Sequence, residues 1–368
     1  MKNYAVQLLT KMLEIYSPSG KEESISSFLA DEMKKLGFNV RQDNVGNVIG
    51  ETGRGSTTIL LCGHMDTIAG FIPVQERNNK LYGRGAVDAK ASLAAMIVAS
   101  SSLMAYGPAG KIVVAGVVDE EGQSRGIKNL LKEGIKADYA IFGEPSGVEK
   151  VTVGYKGLLR LKITCKTETG HSAANILYEN AVEKAFEIWN EIKKFHFPSD
   201  KPESPFYSIT SSLTKIKGGK GNSTIPSSCQ IQVDIRVPPQ LTTTQIFEGI
   251  SKLIEQYKRA NPKVSVKAKV KDAIEPFEAD SKSFLVRALS KSIREVRHRT
   301  ATLMRKTGTG DMNIFGRIVK IPVVTYGPGD PTLSHTEKEH IDLQEYVDSI
   351  EVYQRTIKRI FNMHKEST

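Results

Sequence analysis

The stretch KIVVAGVVDEEG, residues 111–122, is an unbroken apolar run that ends in three acids. Two further stretches have the same form: TTILLCGHMD at 57–66 and DYAIFGEP at 138–145. Each run is short and apolar throughout, which fits a strand buried on both faces better than one with a wet side. Helical patterns separate them, a small-residue stretch at 89–104 and a shorter one at 126–133. Apolar strands alternating with helices imply an α/β fold with a mainly parallel sheet covered on both faces. Toward the N-terminus, residues 21–36 carry apolar side chains at helical spacing, and Gly37 stands where a helix-ending glycine belongs. Toward the C-terminus the α/β style returns after residue 275, with a helix at 283–296, an apolar run at 321–326 and a last helix at 344–363.

The middle third has a different rhythm. Residues 158–166 alternate as a half-exposed strand, and a helix is predicted at 176–195. Pro198, Pro202 and Pro205 mark the loop after that helix. Alternating strands at 207–217 and 228–237, a helix at 243–260 and a strand at 263–271 complete the order βαββαβ, the ferredoxin-like pattern. The chain therefore reads as one α/β domain in two segments, 1–155 and 276–368, interrupted by a smaller domain at 156–275.

Composition narrows the function classes. Of 368 residues, 39% are hydrophobic and 25% charged, enough apolar side chain for packed cores. No apolar run approaches the ~18–20 residues that span a bilayer. The first residues, MKNYAVQLLTKMLEIY, carry charges through their apolar stretch and read as a helix, not as a signal peptide. Cys62, Cys165 and Cys229 are odd in number and far apart, which fits a reducing cytoplasm and no disulfide framework. Lys plus Arg number 51 against 41 Asp plus Glu, a net +10. Residues 155–275 hold 19 basic and 12 acidic side chains, so +7 of that excess lies in the middle third. Such a surface attracts polyanions or acidic proteins, or serves solubility alone. A nucleic-acid groove would interleave aromatics with basic residues. With 7% aromatics and one Trp, this chain does not.

The chemistry lies at the strand ends. His64 and Asp66 close the first run, Asp119, Glu120 and Glu121 the second, and Glu144 the third. A fourth run at 323–326 leads through a glycine-rich turn to His335, and Asp88 stands in GRGAVDAK, residues 83–90, before a helix. In open α/β sheets the site lies beyond the carboxyl ends of the strands. A parallel sheet would gather these groups in one crevice. Each has a plainer reading: His64 as a hydrogen-bonded core residue, Asp88 and Glu144 as helix caps, Glu120 and Glu121 as solvated acids, His335 as a loop residue. All the plain readings would have to hold together at one end of one sheet. Two imidazoles with several carboxylates and no thiolate suit zinc, cobalt or manganese. That many crowded carboxylates call for cations, and paired divalent ions hydrolyse amides and phosphates. Adjacent glutamates on an extended segment point in different directions, so one can bind a cation while the other handles protons.

The ordered set of motifs resembles the M20 metallopeptidase family over essentially the whole chain. It comprises SPSG at 17–20, GHMDT at 63–67, GRGAVDAK at 83–90, DEEG at 119–122, GEPS at 143–146, GHSA at 170–173, DIR at 234–236 and SHTE at 334–337. The resemblance implies two divalent metal ions, zinc or cobalt. His64, Asp88 and Glu144 would hold one, Asp88, Glu121 and His335 the other, and the Asp88–Ala89 peptide would be cis. Glu120 would be the general base and Asp66 the residue behind His64. The larger domain would be catalytic and the inserted one its lid and homodimerisation surface. His171 would stabilise an oxyanion in the partner's site, and Lys156, Asn222 and Arg236 would hold substrate. Gly308, Thr309 and Gly310 would line the pocket. An intact Glu120 speaks against a metal-dependent scaffold without catalysis. Within the family, the chain looks most like the hydrolases that release lysine or ornithine from an acidic amino-group carrier protein of the LysW type. Deacetylation of acetylornithine or desuccinylation of succinyl-diaminopimelate is the alternative. Ala91, where Gly is commoner, departs from the pattern. The +7 middle third suits an acidic protein substrate.

Overall fold

The computed structural model describes residues 2–104, 110–197, 201 and 203–365. Pro198 and Pro202 lie outside them. The chain divides into two compact units. The larger is Met1–Gly154, Ala279–Arg305 and Gly310–Thr368; the smaller is Tyr155–Glu278 with Lys306–Thr309.

In the larger unit four parallel strands form the middle of the sheet, in the order Lys111–Val117, Thr58–His64, Tyr139–Gly143, Val323–Thr325. These are the four apolar runs, and they are buried almost throughout. Their shared direction puts the residues after His64, Val117, Gly143 and Thr325 at one end of the sheet. Antiparallel strands flank them: Val48–Gly53 and Asn39–Gln42 on one side, Lys150–Tyr155 on the other. The sequence reading passed over these flanking strands, although Val151, Val153 and Tyr155 alternate as buried apolar residues in the last of them.

The small-residue helix Lys90–Met104 lies close against this sheet. A side-chain carbon at Gly143 would lie 3.0 Å from both Ser92 and Met96, tighter than ordinary contact, so glycine eases the close approach of the two elements. Leu93 of this helix is fully buried; Leu93→Ala would cost about 2–5 kcal/mol in lost burial and cavity. The C-terminal helix Leu343–Lys365 packs on the same helix and on Phe284–Arg297, closing the core. A separate three-stranded sheet, also unanticipated, joins Gln75–Arg77, Lys80–Tyr82 and His340–Asp342. Among the described residues no helix is long and apolar enough to cross a membrane.

The smaller unit is a four-stranded antiparallel sheet, ordered Thr210–Gly218, Ser228–Val237, Gly157–Lys166, Ser265–Ile274. Helices Ala181–Lys193 and Thr243–Ala260 bury its inner face. This is the ferredoxin-like βαββαβ arrangement. The second helix starts on a capping box, with the Gln245 N–H donating to Thr242 Oγ1 at 3.2 Å and the Thr242 N–H to Gln245 Oε1 at 2.9 Å. The first helix begins five residues later than its apolar pattern suggests. Asn180 caps it by accepting the Val182 N–H at 2.9 Å, and Ser172–Leu177 forms a separate 3-10 turn. The three cysteines are free and buried, with Cys165 and Cys229 opposite each other in the sheet.

Candidate metal centre

His64 ends its strand almost fully buried. Its Nδ1 lies 2.9 Å from the Asp66 backbone carbonyl, so Nδ1–H donates there and Nε2 is the nitrogen turned toward the carboxylates. Nε2 faces Asp88 Oδ1 at 3.1 Å and Glu144 Oε1 at 3.7 Å. Asp66 joins two strand ends: its Oδ1 accepts the Glu120 N–H and its Oδ2 the Glu121 N–H, both at 3.1 Å. The Ser19 hydroxyl donates to the same carboxylate at 2.6 Å. Burial alone would raise the Asp66 pKa, but its bonds with His64, Ser19 and the Glu120 N–H outweigh burial and hold it low.

Asp119 breaks the second strand with a positive φ of 63°, a conformation rare outside glycine, and so swings Glu120 and Glu121 into the crevice. Its Oδ2 accepts from Arg125 Nε at 2.9 Å, and its N–H donates to Glu22 Oε1 at 3.1 Å. Glu22 Oε1 also accepts the Gly20 N–H at 2.8 Å. The SPSG segment thereby acquires a role that its sequence did not disclose. Through Ser19 and Gly20 it buttresses the turn that presents the two glutamates.

Asp88 lies between both histidines. Oδ1 faces His64, and Oδ2 is 3.5 Å from His335 Nε2. His335 Nε2 is 2.7 Å from Glu121 Oε1. The Asp88–Ala89 peptide is cis. Glu339, absent from the sequence-derived set, holds the loop that carries Asp88. Its Oε1 accepts the N–H groups of Gly85 at 3.0 Å, Val87 at 2.9 Å and Asp88 at 3.1 Å, and Oε2 accepts from Arg84 Nη1 at 2.7 Å. The short strand His340–Asp342 pairs with Lys80–Tyr82 and so delivers Glu339 to this loop.

Two donor groups result, His64–Asp88–Glu144 and Asp88–Glu121–His335, each with its atoms within 4.8 Å of one another and with Asp88 common to both. The electrostatics show crowding. Burial, reinforced by Glu144, pushes the Glu120 pKa well above the usual carboxylate range. Burial, then Asp88, raises Glu121. Burial disfavours the His64 imidazolium, but Asp66, Asp88 and Glu144 reverse this and drive its pKa well up. Burial lifts Asp311 to about 7, against the opposing pull of Ser124 and His64. An acid-rich cluster with two imidazoles fits a pair of borderline divalent cations, which would relieve this repulsion and take the place of a proton on the inward His64 nitrogen.

The remaining sequence-derived residues belong mostly to the smaller unit. Lys156 is fully buried, and its ammonium donates to the carbonyls of Pro205 at 3.1 Å and Ser208 at 2.5 Å and to Thr210 Oγ1 at 3.0 Å. These bonds brace the 205–210 segment. His171 is exposed and caps the Ser172–Leu177 turn by accepting the Ala173 N–H on Nδ1 at 3.1 Å, which leaves the ring proton on Nε2. Asn222 lies in the exposed segment before Thr224, whose backbone bridges to His171. Arg236 is half-buried in register with Thr210 and Leu158; burial lowers its pKa. Gly308 and Thr309 group with the smaller unit and Gly310 with the larger, where the Gly310 N–H donates to Asn313 Oδ1 at 3.0 Å.

A chain with this sheet and this cluster is a hydrolase of the peptidase family M20/M25/M40. It belongs to that family, whose model matches residues 60–359. A Sulfurisphaera tokodaii protein named LysW-lysine/LysW-ornithine hydrolase is 34% identical over 358 residues, covering 96% of this chain and 95% of its own. A Deinococcus radiodurans protein named LysW-lysine hydrolase is 31% identical over 362 residues, 97% of each chain. The crystal structure of aminopeptidase PepT from Bacillus cereus shares the fold at a TM-score of 0.83 and 20% identity, over 98% of this chain and 99% of that one.

Proposed function

We propose that this chain hydrolyses the amide between the α-amino group of lysine or ornithine and the γ-carboxyl of a C-terminal glutamate on an acidic carrier protein of the LysW type, in lysine or arginine biosynthesis. The observation that carries this reading is the near full-length similarity to relatives bearing that name. The two-site cluster supplies the means. His64, Asp88 and Glu144 would hold one zinc or cobalt ion, and Asp88, Glu121 and His335 a second. Bound there, such ions supply Lewis-acid polarisation of the amide carbonyl and acidify nearby water.

The chain's own groups account for the rest. Glu120, on the turn after Asp119, accepts a proton from the attacking water and delivers it to the departing amine. Water oxygen bonds to the γ-carbonyl carbon, the C–N bond breaks, the carrier leaves with a free carboxylate and the amino acid with a free amine. Asp66 keeps His64 in the tautomer that turns Nε2 inward and fixes the Glu120–Glu121 backbone. Arg236 and Asn222 would engage substrate carboxylate, and Gly308, Thr309 and Gly310 would line the pocket. A homodimer through the smaller unit belongs to this reading, with the Nε2–H of His171 serving the oxyanion of a second copy. Light scattering tests the dimer.

The activity is tested by turnover of carrier-linked lysine and ornithine against N-acetylornithine and succinyl-diaminopimelate. Preference for the carrier-linked amides by a factor of at least about 10² in kcat/KM is expected. Preference for a free acyl amino acid overturns the reading.

A further inference from the structure

The sheet of the smaller unit has one face under its helices and one that its own elements leave bare. Leu159, Leu161, Ile163 and Cys165 pack inward, so the alternate residues of that strand point away. Register carries this outward set across all four strands. One row reads Lys215, Gln232, Lys162, Lys269; the next reads Lys217, Gln230, Thr164, Lys267. Lys271, at the irregularity between Val270 and Asp272, lines the same shallow hollow as Lys162, Lys215 and Lys217.

The acids on this face are already engaged. In the adjoining row Arg160 Nε donates to Asp234 Oδ1 at 2.9 Å, and Arg160 Nη1 lies 3.5 Å from Asp272 Oδ2. Among the described residues, none of the six lysines makes an ion pair. Lys162 stands directly opposite Lys269, an arrangement that weakens a sheet. Lysines on the two edge strands guard against unwanted strand pairing. That accounts for Lys215, Lys217, Lys267, Lys269 and Lys271, but not for Lys162 on a central strand.

We propose that this lysine face is the docking surface for the body of the acidic carrier protein. The inference rests on the carrier reading above and adds to it a place and a set of residues. Charge complementarity selects the occupant. A second copy of this chain would set lysine against lysine in a two-fold contact. Neither row presents an aromatic platform for nucleotide bases or an apolar anchor for a bilayer. A broad ammonium surface without pockets for bases suits carboxylates spread over a protein, and acts on encounter and KM more than on kcat.

The test compares two quadruple variants of the full chain. One neutralises the face, Lys162→Gln, Lys215→Gln, Lys217→Gln and Lys269→Gln. The other removes equal charge from the helices, Lys193→Gln, Lys194→Gln, Lys252→Gln and Lys258→Gln. Binding of the unloaded carrier is read by fluorescence anisotropy at low and high salt, with a duplex oligonucleotide as competitor. Turnover of carrier-linked lysine is read beside that of a free γ-glutamyl-lysine amide. The face variant is expected to bind carrier at least about tenfold more weakly, with a flatter salt dependence, and to raise KM for the carrier substrate. The helix variant should match wild type, and both should hydrolyse the free amide normally, which also certifies their folding. Carrier that does not bind wild type overturns the proposal. So does equal loss from both variants, no loss from the face variant, or nucleic acid displacing carrier from the face. If carrier docks on the face but its amide is not cleaved, the proposed activity fails and the surface stands. If the amide is cleaved with KM untouched by the face variant, the surface fails and the activity stands.

Discussion

Glu339→Gln isolates the residue that holds the Asp88 loop. In the native chain one carboxylate oxygen gathers three backbone N–H groups and the other faces the buried Arg84 guanidinium. A glutamine oxygen can still serve the three N–H groups. Its NH2 must then face Arg84, which is 8% exposed and, among the described residues, keeps the Thr336 and Gly70 carbonyls as acceptors. Removing one partner of a buried pair costs about 3–5 kcal/mol, because a desolvated charge is left uncompensated. Loosening the loop also displaces Asp88, the carboxylate common to both donor groups, and a disturbed supporting shell lowers metal affinity by about 10–100-fold. The assays are urea unfolding of the larger unit and cobalt titration by absorbance. We expect a stability loss of about 3 kcal/mol or more together with weakened cobalt binding. Adding Arg84→Met should recover part of the stability, since it removes the stranded charge. A loss under about 0.5 kcal/mol with unchanged cobalt affinity would refute the reasoning.

Glu120→Gln should keep both metal ions and lose about 10²–10⁴-fold in kcat; metal content with steady-state kinetics checks both halves. Asp66→Asn removes an acceptor from the Glu120 and Glu121 N–H groups and should lower metal affinity about 10–100-fold, read by competition with a chromogenic chelator. Asp311 has its pKa raised to about 7 by burial, against an ordinary value of 3.8. The unfolded chain therefore binds fewer protons at this site between those values, and stability falls as pH rises through that window, then levels above about 7. Asp311→Asn should flatten this decline and gain more stability at pH 8 than at pH 4, measured by thermal unfolding across pH.

The site was legible where chemistry and secondary structure coincide. His64, Glu121 and Glu144 stand at the carboxyl ends of unbroken apolar runs, and parallel strands must bring those ends together along one edge of the sheet. The smaller unit was legible because its strands alternate and its helices do not. Glu339, Ser19 and Glu22 were not legible. They act through backbone N–H groups and carboxylates far away in sequence, and nothing in their local pattern marks the partner. The three-residue strands that deliver Glu339 are too short to show a period. Nor did the sequence disclose that Lys156 donates to the Pro205 and Ser208 carbonyls, since those partners lie about fifty positions away.

The most direct measurement is the cobalt stoichiometry of the purified chain after chelator treatment and reconstitution, compared with His64→Ala and His335→Ala. Two ions per chain are expected, with each substitution weakening one site and leaving the other able to bind. A chain that binds no ion, or histidine variants that bind like wild type, would contradict the account.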